Sequence, residues 1–230
     1  LIALKENSGN YRFPQGVEKT GFAPSFWTRL GTATEATLSY YSLKTDDITD
    51  YGQPTLSAAA TGTGQAAMPP ISTGKYFGFA KHDTARHTTS IGTFKLEHEF
   101  SDALGIRNTL RWASYKRQLE ATISTLRATD ANGAPVTAST PLSLLMVTRN
   151  HDGGRTRDND DVALVNQTDI TWKLTRGSVK HTFMGGMELS RERLNRWNYT
   201  LDADPNLAGI RSEEHTSELQ SRGLISYAVF

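Results

Sequence analysis

Apolar and polar side chains alternate along several segments of the sequence, and this alternation most constrains the fold. Between residues 162 and 175 the two kinds occupy opposite parities, with Val162, Leu164, Ile170, Trp172 and Leu174 set against Gln167, Asp169, Thr171 and Lys173. A period of two places successive side chains on opposite faces, so it predicts a β-strand with one apolar and one polar face. The same pattern recurs in residues 94–100, 106–112 and 179–190.

The connections between the predicted strands are of two kinds. Strands 20–30 and 35–44 are joined by the short turn 31–34, and the two later pairs are joined by residues 101–105 and 175–178. Residues 51–86 and 127–161 instead form loops of about 35 residues, against a usual median of about 4–6. With an opening strand at residues 1–7, the count is seven strands. In an antiparallel meander every short turn would lie at one end and every long loop at the other.

Two all-β architectures fit this pattern. An outer-membrane barrel has short periplasmic turns and long extracellular loops, whereas strands of a soluble β-sandwich average about 5–6 residues. Segments 106–122 and 162–175 are longer than that, and mid-strand charges such as Lys95, Glu97 and Arg107 suit a water-filled interior. We therefore favour a segment of an antiparallel transmembrane β-barrel. A soluble or surface β-rich binding module without transport activity is the alternative.

Composition excludes several classes of protein. The 230 residues include 25 basic and 24 acidic side chains and no cysteine. The absence of cysteine excludes a disulfide framework and a thiol nucleophile, and the balanced charge argues against a nucleic-acid partner. No apolar run approaches the roughly 20 residues of a membrane-spanning helix.

Three stretches resemble the TonB-dependent siderophore receptors, in particular their catecholate-type branch. Residues 94–112 resemble a strand–turn–strand unit of that family. Residues 166–170 together with 177–192 resemble a later hairpin, and residues 51–54 resemble the start of a long external loop. The resemblance covers about residues 1–205.

The resemblance implies a 22-stranded barrel with an N-terminal plug, in the outer membrane of a Gram-negative bacterium. Such a receptor imports a ferric siderophore as its transported ligand, with outer-membrane lipid around it and the TonB complex supplying energy through an N-terminal region. These residues contain no plug and no TonB box, and bacterial barrels have even strand numbers. We therefore expect residues 1–210 to be part of such a barrel, cut from its middle.

Residues 211–230 are expected to be foreign to the protein. Residues 211–221 resemble the translation of a common DNA sequencing adapter, and residues 222–230 resemble read-through beyond it. We predict that resequencing the locus will give a reading frame that continues past Ile210 with a different sequence. Finding the same tail in genomic DNA would contradict this.

No enzyme motif is present in the sequence. His98-Glu99 lacks a second histidine at the metalloprotease spacing, there is no Gly-x-Ser-x-Gly elbow, and Gly74-Lys75 lacks the rest of a phosphate loop. We predict no catalytic residue, no resident cofactor and no metal site. The chain is therefore not expected to be an enzyme.

The first long loop carries the candidate ligand-binding residues. They are Tyr51, Tyr76, Phe77, Phe79, His82 and Arg86. A ferric catecholate or hydroxamate complex is bulky, often anionic and rich in aromatic groups, so aromatic rings could stack on it and basic groups could pair with its charge. The alternatives are that these aromatics belong to the interfacial belt of a membrane protein or pack the loop.

A second basic cluster lies in the other long loop. Its members are Arg149, His151, Arg155 and Arg157, interleaved with Asp152, Asp158, Asp160 and Asp161. Neighbouring opposite charges would neutralise one another in a solvated loop. Contact with lipopolysaccharide phosphates or with the ligand is the alternative.

Overall fold

The computed structural model describes residues 1–9, 12, 16–150, 156–198 and 214–229, with residues 150 and 214–229 described by their backbone alone. Almost all of the regular structure is antiparallel strand. The elements are β1 (Ile2–Gly9), β2 (Gly16–Ala23), β3 (Ser25–Leu30), β4 (Thr34–Asp47), α1 (Ala58–Thr61), β5 (Thr84–Ser101), β6 (Leu104–Glu120), β7 (Ile123–Leu126), a 3-10 turn (Leu142–Leu144), β8 (Val147–Asn150), β9 (Arg157–Arg176), β10 (Val179–Asn198) and β11 (Glu214–Val229). No helix in these described ranges is long and apolar enough to cross a bilayer.

One large sheet contains most of the strands, in the order β1, β2, β4, β5, β6, β9, β10 and β11. Strands β2 and β3 lie end to end beside β4. The break between them falls at Pro24, which has no backbone N–H to donate. The seven predicted strands are confirmed. They are β1, β2 together with β3 as one predicted strand, β4, β5, β6, β9 and β10. Strands β7 and β8 pair with each other in a separate small sheet.

The three short turns lie together at one end of the sheet, the turn end. They connect β3 to β4, β5 to β6 and β9 to β10, and Gly31 and Gly177 adopt positive φ there, at 70° and 63°. The opposite end, the loop end, carries the long connections 48–83 and 121–156. The asymmetry predicted from the loop lengths is therefore present.

The predicted limits of the long loops were wrong at their C-terminal ends. β5 begins at Thr84 and β9 begins at Arg157, so Arg86 lies on a strand and not in a loop. Residues 84–90 of β5 are polar on both faces, apart from Ala85, and show no alternation. Their backbone nevertheless continues the ladder with β4 and β6. A strand with two polar faces gives no periodic signal in the sequence.

The sheet has an apolar face and a polar face. The apolar face is formed mainly by Phe22, Phe26, Leu30, Leu38, Tyr40, Phe94, Leu96, Ile106, Leu110, Trp112, Leu164, Ile170, Trp172, Leu174, Phe183, Met187 and Leu189, which the strand registers place on one side. Many of these side chains are uncovered, with Trp172 48% and Leu189 53% exposed. An apolar surface of this size requires a partner or a membrane.

Aromatic rings border the apolar face at both ends. Toward the loop end, Phe22 and Tyr40 lie with ring centroids 5.5 Å apart, and Trp112 lies on the row of Tyr40. Toward the turn end, the rings of Trp172 and Phe183 are also 5.5 Å apart. From Leu104, opposite Trp172, β6 runs nine residues to Trp112, near the about 9–11 residues of a membrane-spanning strand. Two aromatic girdles around an apolar band are typical of outer-membrane barrels.

The polar face carries ion pairs between and along strands. Arg107 of β6 binds Asp169 of β9 at 2.8 Å, and Lys95 binds Glu97 along β5 at 2.6 Å. Among the described residues, few apolar side chains are buried, and most of these, such as Phe77 and Leu119, lie at the loop end. Ala113 of β6, which is 4% exposed, is buried within the sheet.

The backbone of β11 pairs antiparallel with β10, from Asn198 opposite Glu214 to Phe183 opposite Val229. This pairing is a property of the polypeptide whatever DNA encoded it. The foreign origin of residues 211–230 therefore stays a prediction.

Two adjacent glycines of β10 provide a test of packing on the polar face. A Cβ at Gly186 would lie 2.4 Å from Asp169 Oδ1 and 3.2 Å from the carbonyl oxygen of Thr168, whereas nothing lies within 4 Å of a Cβ at Gly185. Gly186→Ala should displace the Asp169 carboxylate from Arg107 and lower the free energy of unfolding by about 1–2 kcal/mol.

Gly185→Ala is the matched control and should be near neutral. The measurement is urea unfolding of the full-length protein that contains this chain. Equal stability of the two variants would contradict the assigned packing.

Candidate functional site

The buried carboxylate of Asp83 connects the two long loops. It lies just before β5 and is 2% exposed. Thr122 Oγ1 donates a hydrogen bond to Asp83 Oδ1 at 2.6 Å, the Phe79 N–H donates to Oδ2 at 2.7 Å, and the Tyr76 hydroxyl also donates to Oδ2. A charged acceptor with three donors forms strong hydrogen bonds and is costly to remove. The loops are therefore held at the point where they leave the sheet.

Further hydrogen bonds join the two long loops, in addition to those at Asp83. Ser124 Oγ donates to the Phe77 carbonyl oxygen at 2.8 Å, and the Ala138 N–H donates to the Ala60 carbonyl oxygen at 2.9 Å. A cavity of about 580 Å³ lies between segments 53–60 and 124–137. The two loops thus form one structured unit over the end of the sheet.

The Tyr76 hydroxyl is held in its protonated form. Burial, the hydrogen bond to Asp83 and the negative charge of that carboxylate all raise the pKa of Tyr76 well above its usual value. The hydroxyl also lies 3.1 Å from the Thr49 carbonyl oxygen. Tyr76 therefore acts as a hydrogen-bond donor within the loop.

The structure brings three of the predicted site residues together at Asp83. Tyr76 and Phe79 bind its carboxylate, and Phe77 lies between them in sequence with its side chain only 6% exposed. The Lys75 ammonium lies 5.5 Å from the centroid of the Phe77 ring, and the Arg149 guanidinium lies 5.0 Å from that of Phe79. These aromatics pack the loop in this conformation.

The other three predicted residues lie apart from that group. Tyr51 is 48% exposed and close enough to Arg157 to interact with it electrostatically. His82 lies in the turn before Asp83, where its N–H donates to the Phe79 carbonyl oxygen at 2.8 Å. Arg86 lies on β5, on the side of the sheet that carries the apolar residues, and its Nε lies 3.0 Å from Asp46 Oδ2.

The polar face carries a basic cluster at the loop end, which we call the arginine cluster and which consists of Arg117, Arg157 and Arg196. Arg117 of β6 and Arg196 of β10 both lie opposite Asn159 of the intervening strand β9. Because neighbouring strands lie about 4.8 Å apart, the Cα atoms of these two arginines are about 10 Å apart. Arg157 lies on the same face of β9, two residues from Asn159.

The arginine cluster forms no ion pair with an acidic side chain in the described ranges, although Asp161 lies on the same face of β9, two residues from Asn159. Arg196 Nε donates to Asn198 Oδ1 at 3.2 Å, whereas the Nε atoms of Arg117 and Arg157 are buried and have no hydrogen-bond partner among the described residues. Three like charges on adjacent strands favour an anion between them.

Sequence reasoning missed this cluster because its members come from three separate segments. Arg157 is the single member that belongs to the basic group of the second long loop, which was expected to be solvated. His151, Asp152 and Arg155 of that group lie outside the described residues. Its remaining acids divide between the two faces, since Asp158 and Asp160 share one parity of β9 and Asp161 has the other. The parity of each residue, together with the register of β6, β9 and β10, identifies the cluster.

Comparison with known proteins gives relatives for most of the chain, although no family model matches it. It is 30% identical over 205 residues to the probable TonB-dependent siderophore receptor PiuA of Acinetobacter baumannii, covering 89% of this chain and 26% of that protein. It is 29% identical over 181 residues to the catecholate siderophore receptor Fiu of Escherichia coli, covering 76% of this chain and 23% of Fiu. The chain thus spans about a quarter of the length of these curated relatives.

Solved structures show the same fold. The crystal structure of PiuA matches with a TM-score of 0.62 and 24% identity, over 96% of this chain and 33% of that one. The open form of Fiu matches with a TM-score of 0.65 and 24% identity, over 92% and 34%. The predicted fold class is confirmed by these structures, and the predicted resemblance is confirmed by the two sequence relatives.

Removing the Asp83 carboxylate tests its role in holding the loops. Asp83→Ala leaves Thr122, Tyr76 and the Phe79 N–H without their acceptor, and the free energy of local opening should fall by about 2–4 kcal/mol. Amides of segments 76–83 and 121–126 should exchange faster in hydrogen–deuterium exchange of the full-length protein.

The control is Asp102→Ala, which removes an exposed carboxylate from the short turn between β5 and β6. It should leave exchange in both loops unchanged. If Asp83→Ala also left their exchange unchanged, Asp83 would not be what holds them.

Proposed function

We propose that this chain, a relative of the TonB-dependent siderophore receptors over most of its length, forms part of the wall of such a receptor in a Gram-negative outer membrane. The receptor would bind a ferric siderophore through its long loops and polar face and import it with energy from TonB. The chain supplies binding surface and barrel wall, and no covalent chemistry is required of it.

The exposed apolar face supports the membrane location. Its side chains lie in a band of nine residues on β6 between two aromatic girdles, and lipid would cover that band. In a soluble β-rich module the same face would need a second layer. The high exposure of Trp172 and Leu189 argues against such a layer within the described residues.

The arginine cluster is the observation that supports a ferric siderophore as the ligand. A ferric catecholate complex is an oxygen-rich anion, and arginine guanidinium groups bind anionic oxygens with directed, charge-assisted hydrogen bonds. Tyr51 lies within electrostatic reach of Arg157, and its exposed ring could stack on a catechol. We therefore propose Tyr51 and the arginine cluster as direct contacts.

The remaining predicted residues take different parts in this proposal. Tyr76, Phe77 and Phe79 set the shape of the loop around Asp83, and His82 lies in the turn that precedes that carboxylate. Arg86, paired with Asp46, lies on the lipid-facing side at the loop end. Ligand contact by the four loop residues would require the loops to rearrange, whereas Arg86 is held by its strand on the opposite face from the arginine cluster.

Coupling to TonB would depend on a part of the receptor other than these strands. Extending the open reading frame upstream tests this cheaply. A plug domain and a TonB box are expected, and a start codon beside Leu1 would contradict the transport proposal and favour a small binding module.

Charge removal from the arginine cluster tests the ligand contacts. In the full-length receptor, Arg117→Gln or Arg157→Gln should weaken binding of a ferric tris-catecholate complex by about tenfold, because each removes one charge-assisted contact. Binding can be followed by quenching of tryptophan fluorescence, and import by uptake of radioactive iron.

Arg176→Gln is the matched control, since Arg176 is exposed at the turn end of β9. It should bind the complex with unchanged affinity. If all three variants bound equally well, the arginine cluster would not be the ligand site. Binding that weakened equally in all three would indicate a general effect of net charge.

A further inference from the structure

Three arginines of β6 lie on the polar face of the sheet, in a line that follows the strand. They are Arg117, Arg111 and Arg107, and even numbers of residues separate them, so the strand places them on one face. At about 3.4 Å per residue, the Cα atom of Arg111 is about 20 Å from that of Arg117 and about 14 Å from that of Arg107. We call these three residues the β6 column. It leads from the arginine cluster at the loop end toward the turn end.

The charges of the column are increasingly compensated toward the turn end. Arg117 belongs to the arginine cluster, where three cations lie together. Arg111 is a single cation that forms no ion pair within the described ranges. Arg107 is paired with Asp169 at 2.8 Å. The attraction for an anion is therefore expected to fall from Arg117 to Arg111 and from Arg111 to Arg107.

The side chains next to Arg111 on the polar face leave its charge accessible. Thr93 of β5 and Val165 of β9 lie directly opposite it. The next row toward the loop end consists of Ile91, Ala113 and Ala163. One row toward the turn end, Lys95 is paired with Glu97 at 2.6 Å. Because the Arg111 side chain is exposed, its guanidinium can be reached from this face.

Acidic side chains of the polar face lie at some distance from Arg111. The strand spacings place the nearest of their Cα atoms about 12 Å or more from that of Arg111, and the residues are Glu97, Asp161, Asp169, Glu188 and Glu192. None of them pairs with it in the described part of the chain. Arg111 therefore has a positive charge available for an anion.

An aromatic ring lies between Arg117 and Arg111 on the same face. Tyr115 is 39% exposed and lies two residues from Arg117 along β6. An aromatic group of an anionic complex could stack on this ring while its charged oxygens contact a guanidinium on either side. The column thus offers successive contacts to a complex of the catechol type.

We propose that Arg111 is an intermediate binding point for the anionic ferric complex during its passage from the arginine cluster to the turn end. Movement between sites needs binding that is favourable enough for entry and weak enough for release. Three unpaired cations, then one unpaired cation and then a paired one provide such a decrease. The proposal rests on the proposed function, because it requires the polar face to line the route of the imported ligand.

A structural ion pair with another part of the receptor is the competing role for Arg111. Such a pair would contribute to stability, and its loss would lower the unfolding temperature. A binding point on the route instead affects the rate of passage and leaves capture of the ligand at the loop end intact. The maximal rate of import, the affinity and the unfolding temperature therefore separate the two roles.

The test uses the full-length receptor and measures uptake of radioactive iron into cells, supplied as the ferric tris-catecholate complex. Arg111→Gln should lower the maximal rate of import about tenfold, because one charge-assisted contact on the route is lost. The affinity for the complex and the unfolding temperature should stay at wild-type values. Arg111→Lys keeps the charge and should recover most of the rate. The matched control, Lys180→Gln, removes an exposed charge from the polar face at the turn end of β10 and should import normally.

A lower rate at unchanged affinity in Arg111→Gln, recovered in Arg111→Lys, supports the binding point. The binding point is overturned by an unchanged rate, by weaker binding at an unchanged maximal rate, or by a rate that Arg111→Lys does not recover. A lower unfolding temperature of Arg111→Gln, or equal slowing by Lys180→Gln, overturns it as well. Each of these results leaves the receptor function intact, whereas a wild type that neither binds nor imports the complex overturns both.

Discussion

Backbone hydrogen bonds between neighbouring strands hold this sheet together without a layered side-chain core. From β1 to β10 each strand of the large sheet pairs with the neighbouring strand over most of its length. Since the backbone groups bind one another, side chains on the two faces are free to meet different solvents. One face can be apolar over a wide band while the other carries ion pairs such as that of Arg107 and Asp169.

The difference between the two faces of the sheet explains which strands could be predicted from the sequence. Within the apolar band the two faces differ sharply, so the alternation of side chains is enough to identify β9 and its neighbours. Beyond the band both faces carry polar side chains, as in residues 84–90, and the periodic signal ends although the strand continues. The arginine cluster lies in the part of the strands that shows no alternation. Its members are about 40 residues apart in the sequence. Only the register brings them together.

Loop contacts were not predictable for a different reason. The aromatic run around Tyr76 has the composition of a ligand-stacking surface, but composition does not specify which groups turn inward. The Asp83 carboxylate decides this, because a buried charge requires donors, and Tyr76, Phe79 and Thr122 supply them. The site then divides into a loop scaffold around Asp83 and a basic surface on the polar face.

Two polar contacts on opposite faces together fix the pairing of β6 with β9. On the apolar face Asn108 and Asn166 exchange amide hydrogen bonds at 3.2 Å, and Asn108 also donates to Thr168 at 2.7 Å. On the polar face Arg107 binds Asp169. A slip of one residue would exchange the faces, and a slip of two would keep the faces but separate both pairs. Within an apolar band, an unpaired amide would cost about 1–3 kcal/mol. These amides therefore specify a register that apolar contacts alone, which tolerate a slip of two, would leave open.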